Sequence, residues 1–356
     1  MEIRKTVKNG VIYRNVDSLF RYNAWPTVCR DDDGVLYTVY SGFRGAHICP
    51  FGKTCLCRSF DGGMTWTAPT VVNDTWLDDR DAGIVYLGKK TVMVSWFSHP
   101  VEAYLNRYHN SIWEPGRGLM DILYPTVPES KNKGGSFIRV SEDGGLTWGD
   151  TVRLPVSAPH GPILRRDGSV FYLGKEMYCH SPEQPDVIIA MESRDCGQTW
   201  QELGRVPLPS VEGISWDTLH EPHAVELPDG RLLGAIRSEY NDFTVLLTSS
   251  EDGGRTWAVP KPLGVLGSPP HLLLHSSGAV ILTFGRRHPP YGERALVSRD
   301  GGATWPEEVI IRDDAPNGDL GYPATVELPG GSLLTVYYQI QPGDDMPCIQ
   351  YSVWEL

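Results

Sequence analysis

A tyrosine and a glutamate head two segments of the chain, GYPATVELPGGSLLTVYYQ and EPHAVELPDGRLLGAIR, and Arg237 closes the second. A phenol with its usual pKa of about 10 is a poor nucleophile. A carboxylate in contact with it takes the proton and activates the oxygen. Tyr322 and Glu221 are therefore a candidate nucleophile and base, provided the fold brings them together. A neutral nucleophile suits a sugar that carries its own carboxylate at the anomeric carbon, because a carboxylate nucleophile would be repelled. Arginine holds such a group bidentately, and the chain offers Arg237, Arg286 and Arg287 in FGRR, Arg80 in DDRD and Arg44 in SGFRG. Proton donors for a leaving oxygen are His47 and Asp81.

The elements that must position these residues are written as repeats. SFDGGMTW at 59–66 recurs as SEDGGLTW, SRDCGQTW, SEDGGRTW and SRDGGATW, at intervals of 82, 52, 57 and 48 residues. Each box follows an alternating apolar run and precedes another, which predicts a hairpin turn. There the aspartate caps backbone N–H groups, glycines supply positive φ and the tryptophan packs beneath. A second hairpin precedes each box, as in VCRDDDGVLYTVY or ILRRDGSVFYLG. Two hairpins make a four-stranded propeller blade. A sixth hairpin, VELPGGSLLTVYYQ, lacks a box, and the N-terminal KNGVIYRN is expected to supply its outer strand. The fold class is thus all-β: one six-bladed propeller domain over residues 1–356, with five box turns as blade staples. Residues 99–134 interrupt the second blade with an aromatic-rich insertion, expected as a short helix or flap that walls a pocket or makes a dimer contact.

Folding each inner hairpin about its turn brings equidistant residues to one open end. Glu221 then faces Arg237, and Tyr322 nears Gln339. The segment Ser268–His271 meets Arg286 and Arg287, Asn23–Trp25 meets Ser41–Arg44, and Asp78–Asp81 meets Phe97–His99. His160 faces Lys175. One mouth of the tunnel therefore collects arginines in an acidic protein, as a site for an anionic ligand does.

With five boxes on six hairpins, the chain resembles the sialidase superfamily over nearly its whole length. The resemblance implies a retaining exo-glycosidase that hydrolyses a terminal acidic sugar, sialic acid or a related ulosonic acid, with a tyrosine nucleophile. It assigns the nucleophile to Tyr322, its base to Glu221 and a second-blade aspartate to Asp81. Arg237 and either Arg286 or Arg287 fall to the carboxylate clamp, Arg294 being the other choice, and Arg44 falls to an accessory role. Three features depart from the family pattern. Its first-blade arginine motif reads Asn23-Ala24-Trp25-Pro26 here, and the glutamate that braces that arginine is Gln339. The first-blade loop, SGFRGAHICPFGK, also lacks the family's acid/base aspartate, which leaves His47 or Asp81 as proton donor. Trp25 is expected to offer a stacking platform to a sugar face.

Boxes of this kind also occur on other activities. A uronate-directed polysaccharide lyase would use tyrosine, histidine and arginine for β-elimination, and in a non-catalytic sugar-binding propeller the missing first-blade arginine would mark lost chemistry. The chain's 356 residues carry a formal charge of −12, which argues against nucleic acid as a partner. No apolar run has the length of a membrane span. Without a leader-like apolar start, a cytoplasmic location is the expectation. The seven cysteines, Cys55 and Cys57 among them, read as reduced thiols, and neither metal nor cofactor is called for. A homo-oligomer is compatible with all of this.

Overall fold

The computed structural model describes residues 2–4, 6–179 and 184–356. It is a six-bladed β-propeller, as the repeats predict. In the first blade Tyr22–Arg30, Leu36–Arg44, Lys53–Ser59 and Thr70–Asn73 follow one another outward, and the second, fourth and fifth blades repeat this order. First strands of neighbouring blades contact each other around the axis, so each chain segment that opens a blade lines the tunnel. The third blade is irregular, with Val156–Ser157 and Ile163–Leu164 both paired to Val170–Glu176. The ring is closed from the N-terminus. Thr6–Tyr13 pairs antiparallel with Pro347–Trp354 as the outer strand of the sixth blade, and Glu2–Arg4 adds a parallel strand to the fifth. The expected closure by KNGVIYRN therefore holds, with a second strand the pattern did not suggest. Closure leaves few unpaired edges.

The box turns lie at one end of the blades. In the box at 141–148, Ser141 Oγ accepts from the Gly145 amide at 2.8 Å and donates to Asp143 Oδ1. Asp143 in turn accepts from the Thr147 amide and hydroxyl at 2.8 and 2.6 Å. The same bonds recur at Asp61, Asp195, Asp252 and Asp300. The second glycine of each box abuts the preceding blade: a Cβ at Gly63 would lie 2.4 Å from Leu334, and one at Gly197 would lie 2.5 Å from Met93. The boxes thus join blade to blade as well as turning the chain.

At the other end, four inner strands share a different device. Trp25, Asp81, Glu221 and Tyr322 all have left-handed φ, between 47° and 56°. Each sits where the register slips, so that two inner-strand residues oppose one on the partner strand: Ala24↔Ser41 is followed by Thr27↔Val39, and Gly321↔Tyr338 by Ala324↔Val336. These are β-bulges. A left-handed non-glycine residue costs on the order of 1–2 kcal/mol. The bulge also displaces the pairing by one residue: His220, not Glu221, lies opposite Arg237, and Gly321, not Tyr322, lies opposite Tyr338; the Tyr322 ring packs against that of Tyr338 at 6.0 Å and not beside Gln339.

The 99–134 insertion forms helices at Val101–Leu105 and Glu114–Leu123 with short 3-10 turns. Val101, Tyr104, Ile112, Met120 and Tyr124 form a small core with Leu77, against which Ile48 and Phe51 of the first-blade loop pack. The Tyr124 hydroxyl donates to the Pro50 carbonyl at 2.8 Å. The insertion therefore walls the mouth at the first two blades and fixes the loop that carries His47.

Candidate active site

The two bulges at Glu221 and Tyr322 bring their side chains together across the mouth. The Tyr322 hydroxyl donates to Glu221 Oε1 at 2.5 Å, and Arg237 Nη1 reaches Glu221 Oε2 at 2.7 Å and the tyrosine oxygen at 3.3 Å. Burial alone would raise the Glu221 carboxyl, but Arg237 and the bonds it receives hold it below its usual range. Burial, then the Glu221 and Asp81 charges, push the Tyr322 phenol well above 10. At neutral pH the pair is a phenol held on a carboxylate. The base is ready to accept, and the guanidinium that keeps it ionised also touches the oxygen that would attack.

The neighbouring cations are placed to receive an anion. Arg287 lies 5.8 Å over the Tyr322 ring. Among the described residues, Arg237 Nε and both Nε and Nη2 of Arg287 are buried donors without a partner. Such groups are costly unless a ligand satisfies them. Arg286 Nε is likewise a buried donor without a partner, but among the described residues Arg286 makes only a 3.5 Å contact to the Pro289 carbonyl and no hydrogen bond or ring contact with Tyr322 or Glu221. Arg294 is buried away from this group, against the carbonyls of Glu293 and Arg312. Arg287 is thus the arginine of FGRR that meets the tyrosine.

Two assignments from the sequence change. Arg44 is not available to a ligand. It is fully buried, with Nη1 and Nη2 bonded to both oxygens of Asp78 and to Ser41 and the His47 and Cys49 carbonyls. Burying this guanidinium is tolerated because Asp78, itself bonded by the Tyr104 hydroxyl, neutralises it. Nor is Trp25 an open platform: it is 1% exposed. Its indole lies under the guanidinium groups of Arg44 at 4.7 Å and Arg80 at 4.3 Å, with His47 edge-on at 5.1 Å. The left-handed backbone at Trp25 turns the ring into the floor of the mouth, where it separates charges and presents no face to a sugar. Arg80, 3.7 Å from Asp78 and 3.9 Å from Asp81, covers that ring, its Nε making no hydrogen bond among the described residues.

His47 and Asp81 occupy different settings. The His47 side chain is 45% exposed at the mouth, and its Nδ1 lies 3.2 Å from Asp319 Oδ1 and 2.7 Å from the Tyr22 hydroxyl. Asp319 also accepts from Tyr22 at 2.9 Å and Tyr338 at 3.1 Å. With Nδ1 so engaged, Nε2 is the nitrogen left for a ligand. Burial lowers the His47 pKa, against the opposing pull of Asp319. Asp81 is buried beside the Tyr–Glu pair, and burial followed by the Glu221 charge raises it to about 7, with Arg80 pulling the other way.

Asp319, Tyr22 and Tyr338 escaped the sequence reading, which counted outward from hairpin turns. Asp319 comes from the loop before Tyr322, and the signal for it was a carboxylate in NGDLGY, three residues ahead of the tyrosine. Gln339, in place of a bracing glutamate, donates to Asp314 at 3.3 Å. Beneath the mouth, His160, His223 and His271 pack ring to ring at 4.4–5.7 Å on the axis, and burial lowers all three. His160 therefore belongs to the tunnel floor and not to a pair with Lys175, which bonds the Trp216 and Leu219 carbonyls.

Comparison with known proteins agrees with this architecture. A family described as a BNR repeat-like domain matches residues 122–335. A sialidase from Micromonospora viridifaciens is 25% identical over 354 residues, an alignment covering 89% of this chain; the chain spans about half (49%) of that protein's length. Among solved structures, a protein of unknown function from Dyadobacter fermentans superposes with a TM-score of 0.79 at 22% identity, over 99% of both chains. The NanB sialidase of Streptococcus pneumoniae, as its K499G mutant, gives 0.69 at 14% identity, over 99% of this chain and 71% of that one. At these identities the structures speak to the fold.

Proposed function

Because the chain belongs to the BNR repeat-like domain family and folds as a sialidase-type propeller, we propose that it is a retaining exo-glycosidase acting on a terminal acidic sugar, sialic acid or a related ulosonic acid. The observation that carries the reading is the Tyr322–Glu221–Arg237 contact at the mouth, a phenol 2.5 Å from an ionised carboxylate. In the first step Glu221 accepts the phenolic proton as the Tyr322 oxygen bonds to the anomeric carbon. The bond to the leaving oxygen breaks, and protonated His47 gives that oxygen its Nε2 proton while Asp319 steadies the ring. Water, deprotonated by His47, then displaces the tyrosine, whose oxygen recovers its proton from Glu221. Two displacements return the starting anomeric configuration. Arg237 and Arg287 hold the sugar carboxylate through their unpartnered N–H groups, and Asp81, neutral below about pH 7, leaves that carboxylate unopposed.

The test is a methylumbelliferyl ketoside of sialic acid, quenched in the steady state and digested for mass spectrometry. A glycosyl mass on the peptide containing Tyr322, absent from Tyr322→Phe, is the expected result. Turnover that survives in Tyr322→Phe, or a product of inverted configuration by NMR, sinks the reading. An unsaturated product absorbing in the ultraviolet would point to elimination instead.

A further inference from the structure

The upper edge of the second blade carries a groove that the mouth does not use. Trp96, Phe137 and Arg153 stand in register on three successive strands and therefore share one face of the blade. The Trp96 and Phe137 rings stack at 5.6 Å, and the Arg153 guanidinium sits 6.0 Å over Phe137. Trp76, 54% exposed, and Lys131 and Lys133 at the end of the insertion line with this ladder a cavity of about 620 Å³. The indole N–H of Trp96 is buried there without a partner among the described residues.

Composition at this spot runs against the rest of the chain. The lining holds three cations, Lys131, Lys133 and Arg153, and one carboxylate, Glu129, in a protein of formal charge −12. A large exposed indole beside a stacked pair of rings is uncommon on a surface without a partner to cover it. The exposed Trp76 ring and the half-buried Phe137 ring suit the C–H faces of pyranose rings, the unpaired N–H of Trp96, a side chain itself only 1% exposed, suits a hydroxyl, and clustered cations suit carboxylates. Strong negative charge elsewhere disfavours long polyanions such as nucleic acid. We propose that this groove is a second carbohydrate site, taking an internal residue of an acidic oligosaccharide. It goes beyond the mouth reading and needs no turnover at Tyr322. Trp76 and Leu77 run directly into Asp78, Asp79 and Arg80, and Ser98 at the groove donates to Asp79 at 3.0 Å, so groove and mouth share one supporting segment.

The experiment is calorimetric titration of Tyr322→Phe protein with a tetrameric oligosialic acid, and with maltotetraose as the neutral control. Two binding events are expected with the acidic tetramer. One weakens about tenfold in Trp76→Ala and in Lys131→Ala/Lys133→Ala, all of these side chains being exposed and remote from the core. Persistence of the groove event without a mouth event would support the groove while overturning the mouth reading. Isotherms unchanged by both variants, no binding at all, or equal binding of maltotetraose would overturn the groove proposal.

Discussion

The two ends of the propeller repeat different things. At the box end the side chains recur: the same serine, aspartate and threonine make the same bonds in five blades, and even Cys196, standing in for the first glycine of its box, keeps the left-handed turn. At the mouth only the backbone recurs. Four blades place a left-handed residue on a bulge, and those residues are Trp25, Asp81, Glu221 and Tyr322, no two alike. Glycine would hold such a position without strain, and Gly161 does so in the third blade at φ 72°. Four non-glycine residues accept the strain and converge on one point, the candidate active site. Repetition of side chains marks scaffold here, and repetition of strain with changing side chains marks the site.

The largest effect should come from Tyr322→Phe. It removes one oxygen from the convergent set and leaves the ring packed between Trp25 and Tyr338. Glycoside turnover should fall by at least about 10³-fold, as expected for loss of a nucleophile, with thermal stability near that of the parent. A large fall in melting temperature would instead mean that the mouth, like the boxes, is chiefly scaffold.

Arg44→Met breaks the comparison from the other side, since Arg44 lies at the mouth but acts as scaffold. Leaving Asp78 buried with only the more distant Arg80 guanidinium, 3.7 Å away, and the Tyr104 hydroxyl to compensate it should cost about 3 kcal/mol, read by denaturant unfolding. Double replacement, Arg44→Met with Asp78→Leu, should recover much of the loss. An Arg44→Met protein of parental stability but raised KM would restore this arginine to a binding role.

The next effect is on the leaving group. His47→Gln should lower kcat/KM by about 10²-fold for an alkyl glycoside, and much less for a methylumbelliferyl glycoside whose phenolate leaves unaided. Asp319→Asn should follow the same pattern more weakly. Acid function needs the charged imidazole, and burial lowers its pKa. The rate for the alkyl glycoside should therefore decline as pH rises from below imidazole's usual 6.5. Equal losses on both substrates would remove His47 from proton transfer.

These cases also divide what the chain discloses from what it hides. The six hairpins, the box turns and the meeting of Glu221 with Arg237 could be read because each depends on local pairing and turn chemistry. The bulges could not, since a one-residue slip leaves no mark in an alternating pattern, and they decide that Tyr322 faces Glu221 and lies beside Tyr338. Arg44 and Arg287 look alike in the sequence. Their fates differ because Asp78 and Tyr104, the latter from an insertion with no counterpart in other blades, enclose one of them and leave the other's donors unfilled. Asp319 was missed for a similar reason, its partners Tyr22, His47 and Tyr338 arriving from two other parts of the ring.

A smaller effect should attend Asp81. Below about pH 7 its carboxyl is neutral; above it, a negative charge stands beside the place proposed for the substrate carboxylate. Affinity for sialic acid itself should fall several-fold as pH rises through 7, by a coupling of about 1 kcal/mol between nearby like charges. Asp81→Asn should flatten that dependence, and asparagine accepts the left-handed backbone readily. A dependence that persists in the variant would locate the titrating group elsewhere.

The smallest effect is expected at the box end and is confined to stability. Hydrogen bonds from Thr256, first through its hydroxyl and then its amide, lower Asp252 to about 2. A depressed carboxyl contributes stability that is present above its unfolded pKa of about 4 and is lost as pH falls toward the folded value. Asp252→Asn should therefore lower the melting temperature at pH 7, and the gap from the parent should close between pH 4 and 2, while kcat/KM stays unchanged. Asp300 and Asp61, held to about 2 by the same threonine bonds, should behave alike. Interchangeable responses at the three boxes are what a repeated staple requires. A box whose replacement altered kcat/KM would mean that strain is passed along the blade to the bulge at its far end.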